Sequence, residues 1–140
     1  MDTSDGLFST LDQLMRLNNL GFELNYNWES LLDKESKLLV SKKKLPIWFL
    51  LAGQHGEFEL IFTIPPKDDQ KFKKAAKSIK WNPQFLGVVI SEPQIKIPLY
   101  KKKININTRG IRNLSISNKS EIKNYIETLI QMDKNLQKSR

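Results

Sequence analysis

The chain has 140 residues, 39% of them hydrophobic and 27% charged, with six glycines and six prolines, which is the composition of one globular domain with a modest core. The absence of cysteine excludes a disulfide scaffold, a thiol nucleophile and a thiolate zinc site, and the single histidine, His55, excludes a multi-histidine metal site within the chain. The net charge of +8 is uneven: residues 1–60 carry nine acids and six bases, whereas residues 61–140 carry six acids and seventeen bases.

Leu7, Leu11, Leu14, Met15 and Leu17 recur at helical spacing. They predict a first helix that starts near Asp5 or Gly6, with Ser4 or Asp5 available as its cap, and that ends at Asn18, Asn19 and Gly21. Phe22, Leu24 and Tyr26 alternate with polar residues, the pattern of a strand with one buried face. Residues 28–40 read as partly helical through Leu31, Leu32, Leu38 and Leu39, and Lys42, Lys43 and Lys44 follow as an exposed turn. Pro46 suits the first turn of a short buried helix over residues 47–52, and Gly53 and Gly56 mark a tight connection. The longest apolar run, residues 45–53, is too short to span a bilayer, and no basic-then-apolar leader is present. A cytoplasmic protein is the expectation.

Residues 58–64 predict a strand stopped by Pro65 and Pro66. Residues 67–79 predict an amphipathic helix with Phe72, Ala75, Ala76 and Ile79 inward, and Asn82 and Pro83 break the chain after it. Two further strands are expected at residues 85–90 and 94–100. The second has Ile95, Ile97 and Leu99 on one face, and Pro93 and Pro98 point to a sheet edge. Ile104 and Ile106 alternate before a turn at Gly110. A final helix spans about residues 119–136, with Asn118 and Glu121 at capping-box spacing and Ile122, Tyr125, Ile126, Leu129 and Ile130 as its apolar stripe. Several strands adjoin without an intervening helix. The fold class expected is therefore α+β: a mixed β-sheet with helices packed on one face, plus a C-terminal helix.

The chemistry-bearing segment is the opening one, Asp2-Thr3-Ser4-Asp5-Gly6-Leu7. Two carboxylates flank a hydroxyl just before a helix, whose N-terminus attracts phosphate. Asp2 and Asp5 would repel a bare phosphate, but a magnesium ion between them removes that conflict, because it takes one or two carboxylates and shares phosphate oxygens. Ser4 is then placed to donate to a phosphate oxygen. The same residues also spell a well-capped helix, and both readings stand on residue types alone. The basic runs, with Phe72, Trp81 and Tyr100 beside them, read either as a solvated lysine surface or as a nucleic-acid-binding face.

A second segment, Glu57-Phe58-Glu59-Leu60-Ile61-Phe62-Thr63-Ile64-Pro65, follows about fifty residues later. The two together resemble the C-terminal domain of the aminoimidazole-ribonucleotide (AIR) synthase superfamily, and among its members most nearly the thiamine-monophosphate kinases. That family opens this domain with Asp-x-Ser-Asp-Gly-Leu and later carries Gly-Gly-Glu-Asp-Tyr-Glu-Leu-Leu-Phe-Thr-Val-Pro. The likeness covers roughly residues 1–92. It implies that Asp2 and Asp5 ligate magnesium, that Ser4 contacts the phosphates of ATP, and that the loop over residues 54–57 faces the acceptor, a small phosphorylated metabolite. A gapless alignment places Gly56 where the kinases have a substrate-binding glutamate, and a shift of one residue places Glu57 there. The family's terminal Gly-aromatic-Asp-His-Phe signature is absent. Residues 101–140 form instead a divergent basic and helical extension.

The resemblance further implies that the chain is one domain of a longer, homodimeric protein, with most of the nucleotide site and further magnesium ligands in a preceding N-terminal domain. Alone, such a domain is expected to be inactive. A non-enzymatic nucleic-acid- or partner-binding module is the competing expectation.

Overall fold

In the computed structural model, residues 1–46, 48–52, 59–99, 101–112 and 119–138 are described. Helix α1, Leu7–Asn18, forms because its leucines and Phe8 fall on one face, and it ends where Asn19 adopts the left-handed conformation at φ 52°. Strand β1, Gly21–Leu24, follows, with Phe22 and Leu24 buried. Two short helices come next. In α2, Trp28–Leu31, the Asn27 side chain accepts from the Glu29 N–H; in α3, Lys34–Lys43, Asp33 accepts from the Ser36 N–H. Helix α4, Phe49–Ala52, sits in the apolar run, and a 3₁₀ turn at Pro66–Asp68 leads into α5, Asp69–Ser78. Strands β2, Gly87–Ile90, β3, Ile95–Leu99, and β4, Lys102–Asn105, precede α6, Thr108–Arg112, and the long α7, Lys119–Lys138.

The strands form one mixed four-stranded sheet in the order β2-β1-β3-β4. β1 is antiparallel to β2 and parallel to β3, and β3 is antiparallel to β4. Together with the helices this is an α+β fold. Ile95, Ile97 and Leu99 point to the buried side with Phe22 and Leu24, while Glu23 pairs with Lys103 across an exposed part of the sheet. Phe8 lies at the centre of the core, its ring centroid 6.0 Å from Trp28 and 6.1 Å from Trp48. Leu11 of α1, Ile111 of α6, and Tyr125 and Leu129 of α7 complete the same cluster. Among the described residues no helix is long and apolar enough to cross a membrane.

Two buried carboxylates tie the helices together. Asp12, 2% exposed, accepts from Thr108 Oγ1 at 3.0 Å and from Arg16 Nε at 3.0 Å, which joins α1 to the start of α6. Asp133, also buried, accepts from Trp48 Nε1 at 2.8 Å and joins α7 to the apolar segment before α4. A buried charge costs several kcal/mol unless such donors surround it, so each carboxylate favours one packing arrangement.

Several expectations are corrected. Residues 59–64 are not a ladder strand: their pairing is the single bridge from Leu60 to Asp2, and Leu60 and Phe62 remain exposed. β3 is an interior strand despite Pro98. β1 pairs only with Ile95 and Lys96, so nothing on that side requires the N–H that proline lacks, and the Pro98 carbonyl accepts from Trp28 Nε1 at 2.6 Å. Gly110 lies inside α6 rather than at a turn. Lys42 and Lys43 close α3, and Lys44 is its left-handed cap at φ 51°. Leu38 and Leu39 face outward, and Val40 is the residue of α3 that is buried. In α5, Ala76 is buried whereas Ala75 and Ile79 are exposed, and Ile122 of α7 is exposed as well. The helix cap at Asn118 lies outside the described residues.

Two glycines give opposite expectations. A Cβ on Gly87 would stand 2.1 Å from the Glu23 carbonyl oxygen and 2.7 Å from Leu24 Cα, so Gly87→Ala forces β2 away from β1. A Cβ on Gly110 meets nothing closer than 3.5 Å. Urea denaturation of Gly87→Ala is expected to show a loss of about 2 kcal/mol or more. Gly110→Ala is expected to gain up to about 1 kcal/mol from helix propensity. Equal effects of the two substitutions would contradict this packing.

Candidate functional site

The opening segment is held in place by backbone pairing. The Thr3 N–H donates to the Glu59 carbonyl at 2.9 Å, and the Ile61 N–H donates to the Met1 carbonyl at 2.9 Å. The Met1 amino group donates to the Ile61 carbonyl at 2.9 Å. The Thr3 hydroxyl is buried in this join and accepts from the Glu59 N–H at 3.2 Å. The first motif and the described part of the second, far apart in the chain, are thus hydrogen-bonded neighbours.

A tight turn follows, closed by the Gly6 N–H donating to the Thr3 carbonyl at 2.7 Å, with Ser4 and Asp5 at its corner. Gly6 occupies the cap position of α1 at φ 89°, a conformation that favours glycine, and makes no side-chain capping bond. The expectation that Ser4 or Asp5 occupies the cap position is therefore corrected. Thr10 Oγ1, in the second turn of α1, lies 3.1 Å from the Asp2 carbonyl and 3.0 Å from the Gly6 carbonyl, so it ties the turn back to the helix.

Asp2 and Asp5 are both exposed, and Ser4 is half-buried between them. Asp2 Oδ1 accepts from the Ser4 hydroxyl at 2.6 Å and from the Ser4 N–H at 3.2 Å. The Ser4 hydroxyl bond, with the Ser4 backbone bond second, holds the Asp2 carboxyl below the usual aspartate range. In this arrangement the Ser4 hydroxyl points its proton at Asp2 as a hydrogen-bond donor, and its oxygen lone pairs remain as acceptors. Two carboxylates and a hydroxyl oxygen are a hard donor set, and their exposure leaves room for the waters and phosphate oxygens that magnesium keeps. The residues present therefore fit a magnesium half-site. Among the described residues no three His, Asp or Glu side chains are grouped so as to hold a metal ion. Glu57 and His55, with the rest of residues 54–57, lie outside the described residues. Glu59 is exposed and contributes its backbone to the pairing.

Phe72 and Trp81, expected beside the basic runs, pack against Phe62 with ring centroids 5.5–6.0 Å apart. Tyr100 lies outside the described residues. The sequence reading passed over Asp12, whose one signal was its spacing of four residues from Arg16 on a helix that is otherwise apolar there.

No family model matches the chain, and no curated protein or solved structure matches it significantly.

The Asp2–Ser4 contact has a pH signature. A depressed native pKa means that the bond contributes stability above the ordinary aspartate range and loses it as pH falls through the lowered native value. A carbon-detected NMR titration should place the Asp2 midpoint below that of an unpaired aspartate, and Ser4→Ala should raise it toward the ordinary value. A midpoint indifferent to Ser4→Ala would show that the contact does not form in solution.

Proposed function

We propose that this chain is the C-terminal domain of a magnesium- and ATP-dependent phosphotransferase of the AIR synthase superfamily, nearest in kind to the thiamine-monophosphate kinases. On this reading the sheet is that of the superfamily's C-terminal domain, with its helices on one face. The observation that supports it most is the pairing of Met1 and Thr3 with Glu59 and Ile61, because it joins the two segments that carry the resemblance. The capping alternative for Ser4 and Asp5 is weakened at the same place, since the cap of α1 is Gly6.

Phosphoryl transfer depends on positioning and charge neutralisation rather than on a covalent protein group. Asp2 and Asp5 would hold magnesium, which when bound neutralises charge on the phosphate oxygens. The turn and the start of α1 orient those oxygens, and Ser4 contacts them once its hydroxyl rotates away from Asp2. Residues 54–57, with Glu57 as the substrate contact, face the acceptor, a small phosphorylated metabolite. No residue of this domain is required as a nucleophile. A preceding domain supplies most of the ATP site, and the whole protein works as a homodimer. Leu60 is 64% exposed although it pairs with Asp2, which suits a segment that another domain covers.

A basic binding module for nucleic acid is the second reading, supported by Lys71, Lys73, Lys74 and Lys77 on α5 beside the cluster of Phe62, Phe72 and Trp81. It predicts affinity that falls steeply with salt and is indifferent to Asp2 and Asp5.

In the intact polypeptide, Asp5→Ala should lower magnesium-dependent turnover by about a hundredfold or more while thermal unfolding changes little. The isolated chain should be catalytically silent. Undiminished turnover in Asp5→Ala, or enzyme-like turnover by the chain alone, would contradict the assignment.

A further inference from the structure

Arginine is scarce in this chain: four residues, Arg16, Arg109, Arg112 and Arg140, against nineteen lysines. Two of the four, Arg16 and Arg109, line one open cleft of 420 Å³. Arg16 lies ten residues beyond Gly6 on α1, about 15 Å along the helix axis, so the cleft is separate from the opening turn.

The two arginines share a cleft because of Asp12. One carboxylate oxygen takes the Arg16 Nε–H at 3.0 Å, and the other takes the Thr108 hydroxyl at 3.0 Å, next to Arg109 at the start of α6. Asp12 is buried, whereas the Arg16 side chain is 53% exposed, so the carboxylate anchors the guanidinium from behind and leaves its outer edge in the cleft. Arg109 is exposed and makes no ion pair among the described residues. The three groups together carry a net charge of +1.

Three amide side chains, Gln94, Asn105 and Asn107, also line the cleft. Asn107 Oδ1 accepts from the Gly110 N–H at 3.0 Å, and Gln94 Oε1 accepts from Asn105 Nδ2 at 3.2 Å. The Asn107 and Gln94 carbonyls are thus satisfied by protein donors, whereas Asn105, which also lines the cleft, spends its NH₂ on Gln94. The rim therefore carries the two guanidinium groups beside the Gln94 and Asn107 amides, and Met15 lies at its apolar side over the buried Ile95 and Ile106. A pair of arginines matches the several acceptor oxygens of a phosphate, and the open cleft leaves them within reach of a small metabolite.

We propose that this cleft is an anion site for a phosphate monoester with a compact apolar body, bound by Arg16, Arg109, Gln94 and Asn107, with Asp12 and Thr108 as positioning residues. It stands on the α1–α6 junction and does not rest on the phosphotransferase reading.

The test is an NMR titration of the 140-residue chain with phenyl phosphate, inorganic phosphate and benzoate in parallel. Phenyl phosphate should give saturable shifts centred on the amides of Arg16, Asn107 and Arg109. Inorganic phosphate should shift the same amides more weakly, and benzoate should bind less tightly than phenyl phosphate. Arg16→Gln and Arg109→Gln should each weaken phenyl phosphate by about tenfold, and the double variant should abolish the shifts while the spectrum stays dispersed. Arg109→Lys should retain part of the affinity, which a merely structural role would not predict. Shifts that persist in the double variant, that centre on the lysines of α5, or that are as strong with benzoate would overturn the proposal, as would the absence of saturable binding.

Discussion

A single rung of backbone pairing, Asp2 opposite Leu60, decides where the opening motif lies. Here both faces of the join are used. The Thr3 hydroxyl adds bonds to the Glu59 N–H and carbonyl, and Thr10 of α1 reaches back to the Asp2 carbonyl. The turn carrying Ser4 and Asp5 is thereby fixed at one end to a remote segment and at the other to the first helix. Gly6 makes this possible, since its φ of 89° allows the chain to enter α1 directly from the turn. Every chemical statement about Asp2, Ser4 and Asp5 depends on that anchoring.

The remainder of the fold is organised around α1. Its apolar face meets the sheet and both buried tryptophans, and its one inward carboxylate, Asp12, meets α6. Asp133 does for α7 what Asp12 does for α6. Each polar link removes alternative packings that leucine contacts alone would tolerate. Each also places charge with a consequence at the surface: the guanidinium of Arg16 faces outward because its partner is buried.

Elements with strong local signals were legible in the sequence. Helix α1 with its asparagine end, the alternating β1 and β3, and the stripe through Tyr125 and Leu129 all follow from period and capping chemistry. What was not legible depends on partners. The segment from Glu59 has the composition of a strand, yet it lies against three residues rather than a sheet. Pro98 argues for an edge, yet the shortness of β1 and the indole of Trp28 make an interior position tolerable. Gly110 resembles a turn residue, yet Asn107 accepts its N–H at the start of a helix. At the candidate site, Asp2 and Ser4 could be named from the motif, but not that they would bond each other. Nor could spacing show that Arg16 and Arg109, ninety-three positions apart, line one cleft.

On the proposed reading, residues 2–6, held against residues 59–61 by backbone pairing, form one edge of a cation and phosphate site that a preceding domain completes. Paramagnetic relaxation by manganese in the presence of ATP measures this directly on the labelled intact polypeptide. The amides of Ser4, Asp5 and Gly6 should broaden first, and those of Leu60 and Ile61 should broaden next, within the same range of manganese concentration. Broadening confined to other carboxylates, such as Glu29 or Glu127, with both segments unaffected, would contradict the account.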